Sequence, residues 1–343
     1  MLHSSSGGKA APGGGPRPAR LRWAGGSASS AANLRAVSVC RFMIATQGNR
    51  IDRGGHGMGD AATFGFEVRH LHPFTGAEVM GLDLAGPLGT GQRSALDRLL
   101  AERGVLVFRD QGLDARSFAR AVEGTVGELM PQQLSQFTLP DFPIVGFVSN
   151  ADADRATGQR VVRGEQHHTD HSNHPAPPRA TALYGVEIPR TGGDTQFAHM
   201  QAAYDELPAA MKARLEGLSS LHAFQSSRSP RRIATPTPEE RARMPETVQP
   251  LVVTHPVTGR KGLYLNTARM EGVLGMDRDE ADALIAELMG RATHPRYEYR
   301  HAWRAGDLVI WDNRTVLHKA NGDVPTGERR YLYRAMVKGT PLR

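Results

Sequence analysis

Residues 306–320 read GDLVIWDNRTVLHKA, and a few positions later residues 328–335 read ERRYLYRA. Asp307 to Trp311 is a short apolar run bounded by turn residues, and Arg330 to Val337 alternates in a similar way; both predict strands. Working back along the chain, strands are predicted at Phe66 to Leu71, Gly76 to Leu84, Val105 to Asp110, Ile144 to Val148, Ala180 to Ile188 and Asp194 to Ala198. Others are predicted at Leu251 to His255, Gly262 to Asn266 and Tyr297 to Trp303. Apolar spacings of three and four predict helices at Leu88 to Arg103, Ala115 to Val126, Met200 to Leu218 and Arg278 to Arg291. The Met200, Ala203, Leu207 spacing is that of a core-facing stripe. Gln225 to Pro250, polar and rich in Pro and Arg, has no clear period and reads as a long loop. Many short strands with few long helices predict a mainly β fold with flanking helices around a sandwich or jelly roll. No GxGxxG follows a strand and no phosphate-binding P-loop motif is present, so nothing points to nucleotide binding.

The chain of 343 residues, 39 % hydrophobic, is long and apolar enough to bury a sizeable core. It lacks the eighteen or so consecutive apolar residues that a membrane helix needs, so no membrane partner is expected. Cys40 is the single cysteine, which excludes an intramolecular disulfide framework and cysteine-based metal sites. The net charge of +7 lies entirely in residues 1–57, where eight Lys/Arg face one acid, Asp52. The rest of the chain is balanced, which argues against a nucleic-acid partner.

Residues 1–57 are so rich in Gly, Ser, Ala and Pro that disorder is expected. An organellar leader and a functional basic arm are alternatives, but the favoured reading is that translation starts at Met43 or Met58. A single domain is expected over residues 58–343.

Fourteen histidines are present, and the densest cluster is Gln166-His167-His168-Thr169-Asp170-His171. On an extended segment, His168 and Asp170 point to the same face, within reach of one metal ion. Two histidines and one carboxylate form the facial cage for non-heme Fe(II), with adjacent positions left open. The pair alone is weak evidence, because about one such pair is expected by chance in a chain this rich in histidine. Its context is more specific: Pro177-Pro178, a β-run ending at Pro189, TGGDT at Thr191 to Thr195, then GDLVIWDNRTVLHKA and ERRYLYRA.

This ordered set, with GAEVMGLDL and GVLVFRDQ in the first half, resembles the taurine dioxygenase / 2,4-dichlorophenoxyacetate dioxygenase family of Fe(II)- and 2-oxoglutarate-dependent oxygenases. The resemblance runs over residues 64–343. It implies a double-stranded β-helix (jelly roll) core, with Fe(II), 2-oxoglutarate and O2 as cofactor and co-substrates. It places the iron ligands on His168, Asp170 and His318, and the 2-oxoglutarate-binding threonine on Thr195. The co-substrate arginine falls on Arg330. A second arginine, Arg334, is expected to face the metal and meet the substrate's anionic group or the 2-oxoglutarate carboxylate.

The chemistry supports those assignments. The distal carboxylate of 2-oxoglutarate needs a desolvated partner, which an arginine fork and a threonine hydroxyl provide. Arg330 and Arg334 lie an even number of residues apart and share one face of a strand. A buried arginine without an anion is prohibitively costly. Asp312 is expected to be structural, within a segment that positions the loop presenting His318. His167 is expected beside the site, His171 and His174 as exposed polar residues, His222 and His255 as framework histidines, and Arg329 in solvent.

The implied reaction is oxidative decarboxylation of 2-oxoglutarate to succinate and CO2, coupled to hydroxylation of a substrate C–H. Asp170 argues for hydroxylation, since a halogenase of this chemistry leaves that position open for chloride. Taurine dioxygenases carry a sulfonate-binding histidine shortly after a GEL segment. Here Gly127-Glu128-Leu129 is followed by Met130-Pro131-Gln132. The expected substrate is therefore a small organic anion other than taurine: a sulfonate, sulfate ester, aryloxyalkanoate or amino or carboxylic acid. Its tentative contacts are Arg334, Gln132, Arg269, Arg228 and Arg163. The alternatives are a true taurine dioxygenase and, more distantly, a binuclear metallohydrolase or a non-catalytic jelly-roll binder. For the hydrolase, Gln166 stands where a further histidine is needed. A cytoplasmic homodimer or homotetramer is expected from the resemblance.

Overall fold

The computed structural model describes residues 64–151, 162–229 and 236–343. The expectations for residues 1–57 lie outside the described residues. The architecture is set by strands buried on both faces. In Val105–Phe108 and Leu308–Asp312 every residue is buried. Val105, Val107, Val309 and Trp311 enter one core, and Leu106, Phe108, Leu308 and Ile310 enter another. That alternation follows from the two-residue repeat of a strand, and burial on both sides removes the usual polar positions.

The main sheet has nine strands. Along it run Glu67–His70, Ala77–Met80, Val105–Phe108, Leu308–Asp312, Ala180–Glu187, Tyr331–Val337, Phe142–Ser149 and Thr138–Leu139, with Leu129–Met130 also pairing to Tyr331–Val337. All described pairings in it are antiparallel except that between Ala77–Met80 and Val105–Phe108. A smaller sheet carries Glu298–His301, Thr195–His199 and Val316–Ala320 in that order. The two sheets share a core in which Phe197 from the smaller packs on Trp311 from the larger, ring centroids 5.4 Å apart. Helices Thr90–Arg103 and Ala115–Val126 cover the outer face of the main sheet. Helices Met200–Asp205 and Arg278–Ala292 pack beyond the smaller sheet, against Ala198 and Leu317. This is the expected mainly β jelly-roll sandwich with flanking helices.

Three expectations change. The helix predicted over Met200 to Leu218 is two helices, Met200–Asp205 and Ala209–Leu215. Pro208 lacks the N–H that a continuous helix needs and disfavours helical backbone at Leu207. Gln225 to Pro250 is not structureless: it holds helix Pro238–Ala242, capped by Thr237 and Glu240, and strand Thr247–Pro250. The segment after Asp312-Asn313 is a strand, Val316–Ala320, and not a loop. Its inward position is occupied by His318, so the apolar alternation that marks a strand is missing there.

Met200–Asp205 starts on an unusual cap. The His199 imidazole, fully buried, accepts from the Ala202 N–H through Nδ1 at 3.1 Å. Its Nε2 then carries the proton and meets no partner among the described residues. Burial, reinforced by Arg260, Arg103 and His72, pushes this imidazole down to about 3. An unfolded histidine titrates at about 6.5, so the neutral form's contribution is complete above that pH and is lost as pH falls toward the folded-state value. His199 should therefore add about 1.4 kcal/mol of stability loss per pH unit between pH 6 and 4. His199→Asn keeps a capping oxygen and should remove that share of the slope in urea unfolding; equal slopes would contradict the account.

Candidate active site

Two peptide groups bring the metal-ligating side chains together. The His168 N–H donates to the His318 carbonyl at 3.0 Å, and the His318 N–H donates to the His168 carbonyl at 2.9 Å. This reciprocal bridge places the two imidazole rings 4.2 Å apart between centroids. Asp170, two residues on, turns its carboxylate to the same point. His168, Asp170 and His318 each offer one ligand atom, all within 4.8 Å of one another. They are the residues expected from the sequence to hold a metal.

Each of the three is oriented. His168 Nδ1–H donates to the Gln166 carbonyl at 2.8 Å, which leaves Nε2 as the unprotonated ligand atom. His318 is wedged against Trp311 and Phe197, and its Nδ1 is buried without a partner among the described residues. Burial holds both imidazoles neutral, below the usual histidine range. Burial alone would raise the Asp170 carboxyl, but the Arg334 guanidinium beside it holds it far below the usual carboxylate range. Asp170 Oδ1 accepts from Arg334 at 2.8 Å, and Oδ2 accepts from the Thr181 hydroxyl at 2.7 Å.

Asn313 locks this arrangement. Its amide donates to the Pro178 carbonyl and the Thr181 hydroxyl, and its Oδ1 accepts from Trp311 Nε1 and the Asp170 N–H. Beneath the turn, Asp312 pairs with Arg314 and, at 3.0 Å, with His255, which is the structural role expected for it. Nothing in the sequence marks Thr181 or Gly164. Gly164, at φ +74°, backs onto His168, where an added Cβ would lie 2.8 Å from the imidazole Cε1; only its glycine identity hints at a close approach.

Arg330 and Thr195 form a second, cationic corner of the same cavity. Arg330 is 5 % exposed, and burial pushes its guanidinium down to about 10. Its Nε donates to the Gly193 carbonyl at 2.7 Å, and one NH2 reaches the Thr195 hydroxyl at 3.3 Å. No described carboxylate pairs with it. The nearest acids, Asp194 and Asp323, both pair with Arg300 instead. Thr195 Oγ1 also accepts from Trp303 Nε1 at 3.0 Å. With both lone pairs engaged, the hydroxyl proton is left to donate. Gly193, at φ +70°, lets the backbone lie against Arg330: an added Cβ would meet its Cδ at 2.8 Å.

The cavity, of about 380 Å³, is lined by the triad, Thr195, Arg330, Arg334, Arg269 and Arg163, among others. Arg330 and Arg334 share this face as expected. Arg334, expected to face the metal site, lines the cavity there and meets Asp170 and the His171 Nε2. Several other expectations fail. His171 is buried, not exposed, because its ring is packed under Arg334. His174 is half-buried. Gln132 turns away to the Ile144 carbonyl, and Arg228 is held by Asp282 and the Met270 carbonyl; neither lines the cavity. Arg163 lies flat over the Phe137 ring at 3.9 Å. His167 pairs with Glu298 at 2.7 Å beside the site. His222 and His255 are framework histidines, and Arg329 is exposed, near Glu187.

Comparisons with known proteins agree with this geometry. The model of the family described as "Taurine catabolism dioxygenase TauD, TfdA family" matches residues 67–336. An alpha-ketoglutarate-dependent 2,4-dichlorophenoxyacetate dioxygenase of Burkholderia sp. (strain RASC) is 35 % identical over 285 residues, covering 80 % of this chain and 95 % of the relative. An alkylsulfatase of Acinetobacter baylyi is 30 % identical over 264 residues, 75 % of this chain and 80 % of the relative. Among solved structures, AAD-2 in complex with Mn(II) and N-oxalylglycine is similar, with a TM-score of 0.68, 30 % identity and coverage of 80 % of this chain and 98 % of that one. The chain, with its ordered His168, Asp170 and His318 and its buried Arg330, belongs to the TauD, TfdA family.

Proposed function

We propose that the protein is a 2-oxoglutarate-dependent dioxygenase that hydroxylates a C–H bond of a small organic anion other than taurine. The observation that carries this reading is Arg330: a buried guanidinium with no carboxylate partner, beside a threonine hydroxyl whose only remaining role is to donate. Such a corner suits a carboxylate, as at the distal end of 2-oxoglutarate.

His168, Asp170 and His318 fit Fe(II). Two neutral imidazoles and an ionised carboxylate are the donor types this ion takes in a facial site, and the His318 Nε2 faces the Asp170 Oδ2 at 3.8 Å, close enough for one ion to take both. Bound Fe(II), with 2-oxoglutarate and O2, supplies the oxidative decarboxylation that releases succinate and CO2 and hydroxylates the substrate. The protein's own share is to hold the ligands and the co-substrate and to keep water out. Gln166 sets the His168 tautomer. Thr181 and Arg334 fix the two Asp170 oxygens so that the carboxylate cannot rotate away. Thr195 and Arg330 orient the co-substrate from its far end.

The same relatives support a substrate other than taurine, since the named ones act on an aryloxyalkanoate or an alkyl sulfate. Gln132, which follows the GEL segment, faces the Ile144 carbonyl and leaves no sulfonate contact there. A binuclear hydrolase needs more ligands than the single three-residue group among the described residues. Among them, no helix is long and apolar enough to cross a membrane. Assembly as a homodimer or homotetramer and a cytoplasmic location complete the reading, supported by the family resemblance alone.

Two outcomes are expected. Thr181→Val, nearly isosteric, removes one hydrogen bond to Asp170 and should weaken Co(II) or Fe(II) binding by about 10- to 100-fold, read by anaerobic metal titration; unchanged affinity would remove Thr181 from the site's support. Arg330→Met should raise the 2-oxoglutarate concentration needed for the visible charge-transfer band by about 30-fold or more, while metal binding without co-substrate persists. An unshifted titration would sink the assignment of Arg330.

A further inference from the structure

Four arginines line the cavity, and three of them have identifiable work. Arg330 faces the co-substrate corner, Arg334 is paired with Asp170, and Arg163 is stacked on Phe137. Arg269 is different. It is half-buried, and its NH1 donates to Asn173 Oδ1 at 2.8 Å and to the Phe224 carbonyl at 3.2 Å. Its guanidinium lies over the Phe224 ring, 4.8 Å from the centroid. No carboxylate among the described residues pairs with it, and no described residue accepts from its NH2. Neutral acceptors do not cancel its charge, and burial pushes the guanidinium down to about 10.

Polar atoms without partners gather around it. The His171 Nε2 accepts from Arg334, so its Nδ1 carries the proton, and that N–H is buried with no partner among the described residues. The Asn173 amide nitrogen, on the side chain whose oxygen receives Arg269, is likewise buried and unpartnered. Asn173 is fully buried and His171 nearly so. Of these, Arg269 and His171 line the cavity, and a guanidinium without a carboxylate beside an unpartnered N–H describes a place for an oxyanion. The lining also offers apolar surface, from Leu134, Phe137, Val148, Val162 and Phe224, beside the polar Glu165, Gln166, Gln225 and Ser229.

We infer that Arg269, held in place by the Asn173 side-chain oxygen, is the residue that fixes the substrate's anionic group, with the His171 Nδ1–H as a further donor, and that the enzyme selects a carboxylate or sulfate monoester bearing an apolar body. The inference rests on the dioxygenase reading and assigns its substrate end. Arg334 then acts as a positioning residue for Asp170 and not as the primary substrate anchor. Arg330 and Arg269 divide the two organic anions between them, one for the co-substrate and one for the substrate.

The test uses the full chain loaded with Mn(II) and the non-reacting co-substrate analogue N-oxalylglycine, titrated calorimetrically with 2,4-dichlorophenoxyacetate, hexyl sulfate and the uncharged 2,4-dichlorophenoxyacetamide. The wild type should bind at least one of the anions about 30-fold more tightly than the amide; which anion wins separates carboxylate from sulfate ester. Arg269→Gln should bring that preference to within about threefold. Arg269→Lys, which keeps the charge and the stem but not the fork, should lose several-fold and serves if the glutamine variant does not fold, as judged by thermal melting. A wild type without preference for either anion, or an Arg269 variant that keeps the full preference, overturns the inference. A wild type that fails to take up N-oxalylglycine with Mn(II) strikes at the dioxygenase reading itself.

Discussion

The pair of backbone hydrogen bonds between His168 and His318 is the constraint on which the site rests. Side chains 150 positions apart in sequence would diffuse through a large volume if tethered only by their own rotamers. An antiparallel bridge removes that freedom, because opposed residues in such a pair have fixed separations and side-chain directions. The bridge is itself held at both ends. Val316–Ala320 is a full strand of the smaller sheet, paired to Thr195–His199, and the Thr169 hydroxyl and the Asp170 N–H are tied to Asn313. The same smaller sheet therefore delivers His318 from one strand and Thr195 from the next. The His168, Asp170 and His318 group and the Arg330–Thr195 corner are built on a common frame.

Charge pairing divides the interior into two kinds of place. Several half-buried arginines that support the fold meet a carboxylate, Arg314 with Asp312, Arg109 with Asp307 and Arg334 with Asp170, while Arg103 is held by the His72 and Pro73 carbonyls. Among the described residues, the buried Arg330 and the half-buried Arg269 face the cavity with neutral acceptors and no carboxylate, and a ligand anion would compensate a charge that is costly to desolvate. Both positions suit organic anions.

Much of this could be read from the residue order. The strands that are buried on both faces show as continuous apolar runs, such as Val105 to Phe108 and Leu308 to Trp311, and they were placed within a residue or two. The elements that were missed are short and polar for a reason. Val316–Ala320 carries a histidine at its inward position, and Thr247–Pro250 is a rim strand with an exposed valine. Periodicity cannot mark a strand whose inward side chain serves chemistry instead of the core. The break at Pro208 carries its own signal, and the helical stripe across it only obscured that signal.

The sequence by itself determined the chemistry-bearing residues whose role depends on residue type and local spacing. His168 and Asp170 share one face because they are two apart on an extended segment, and Arg330 and Arg334 line the same cavity, four apart across the start of strand Tyr331–Val337. The tertiary structure decided which charges are already matched. It gave Asp282 to Arg228, the Ile144 carbonyl to Gln132 and Asp170 to Arg334, it buried His171, and it left Arg269 facing the cavity. Pairing energies depend on separation through space and on solvent exposure, and neither quantity is encoded in the distance between two residues along the chain.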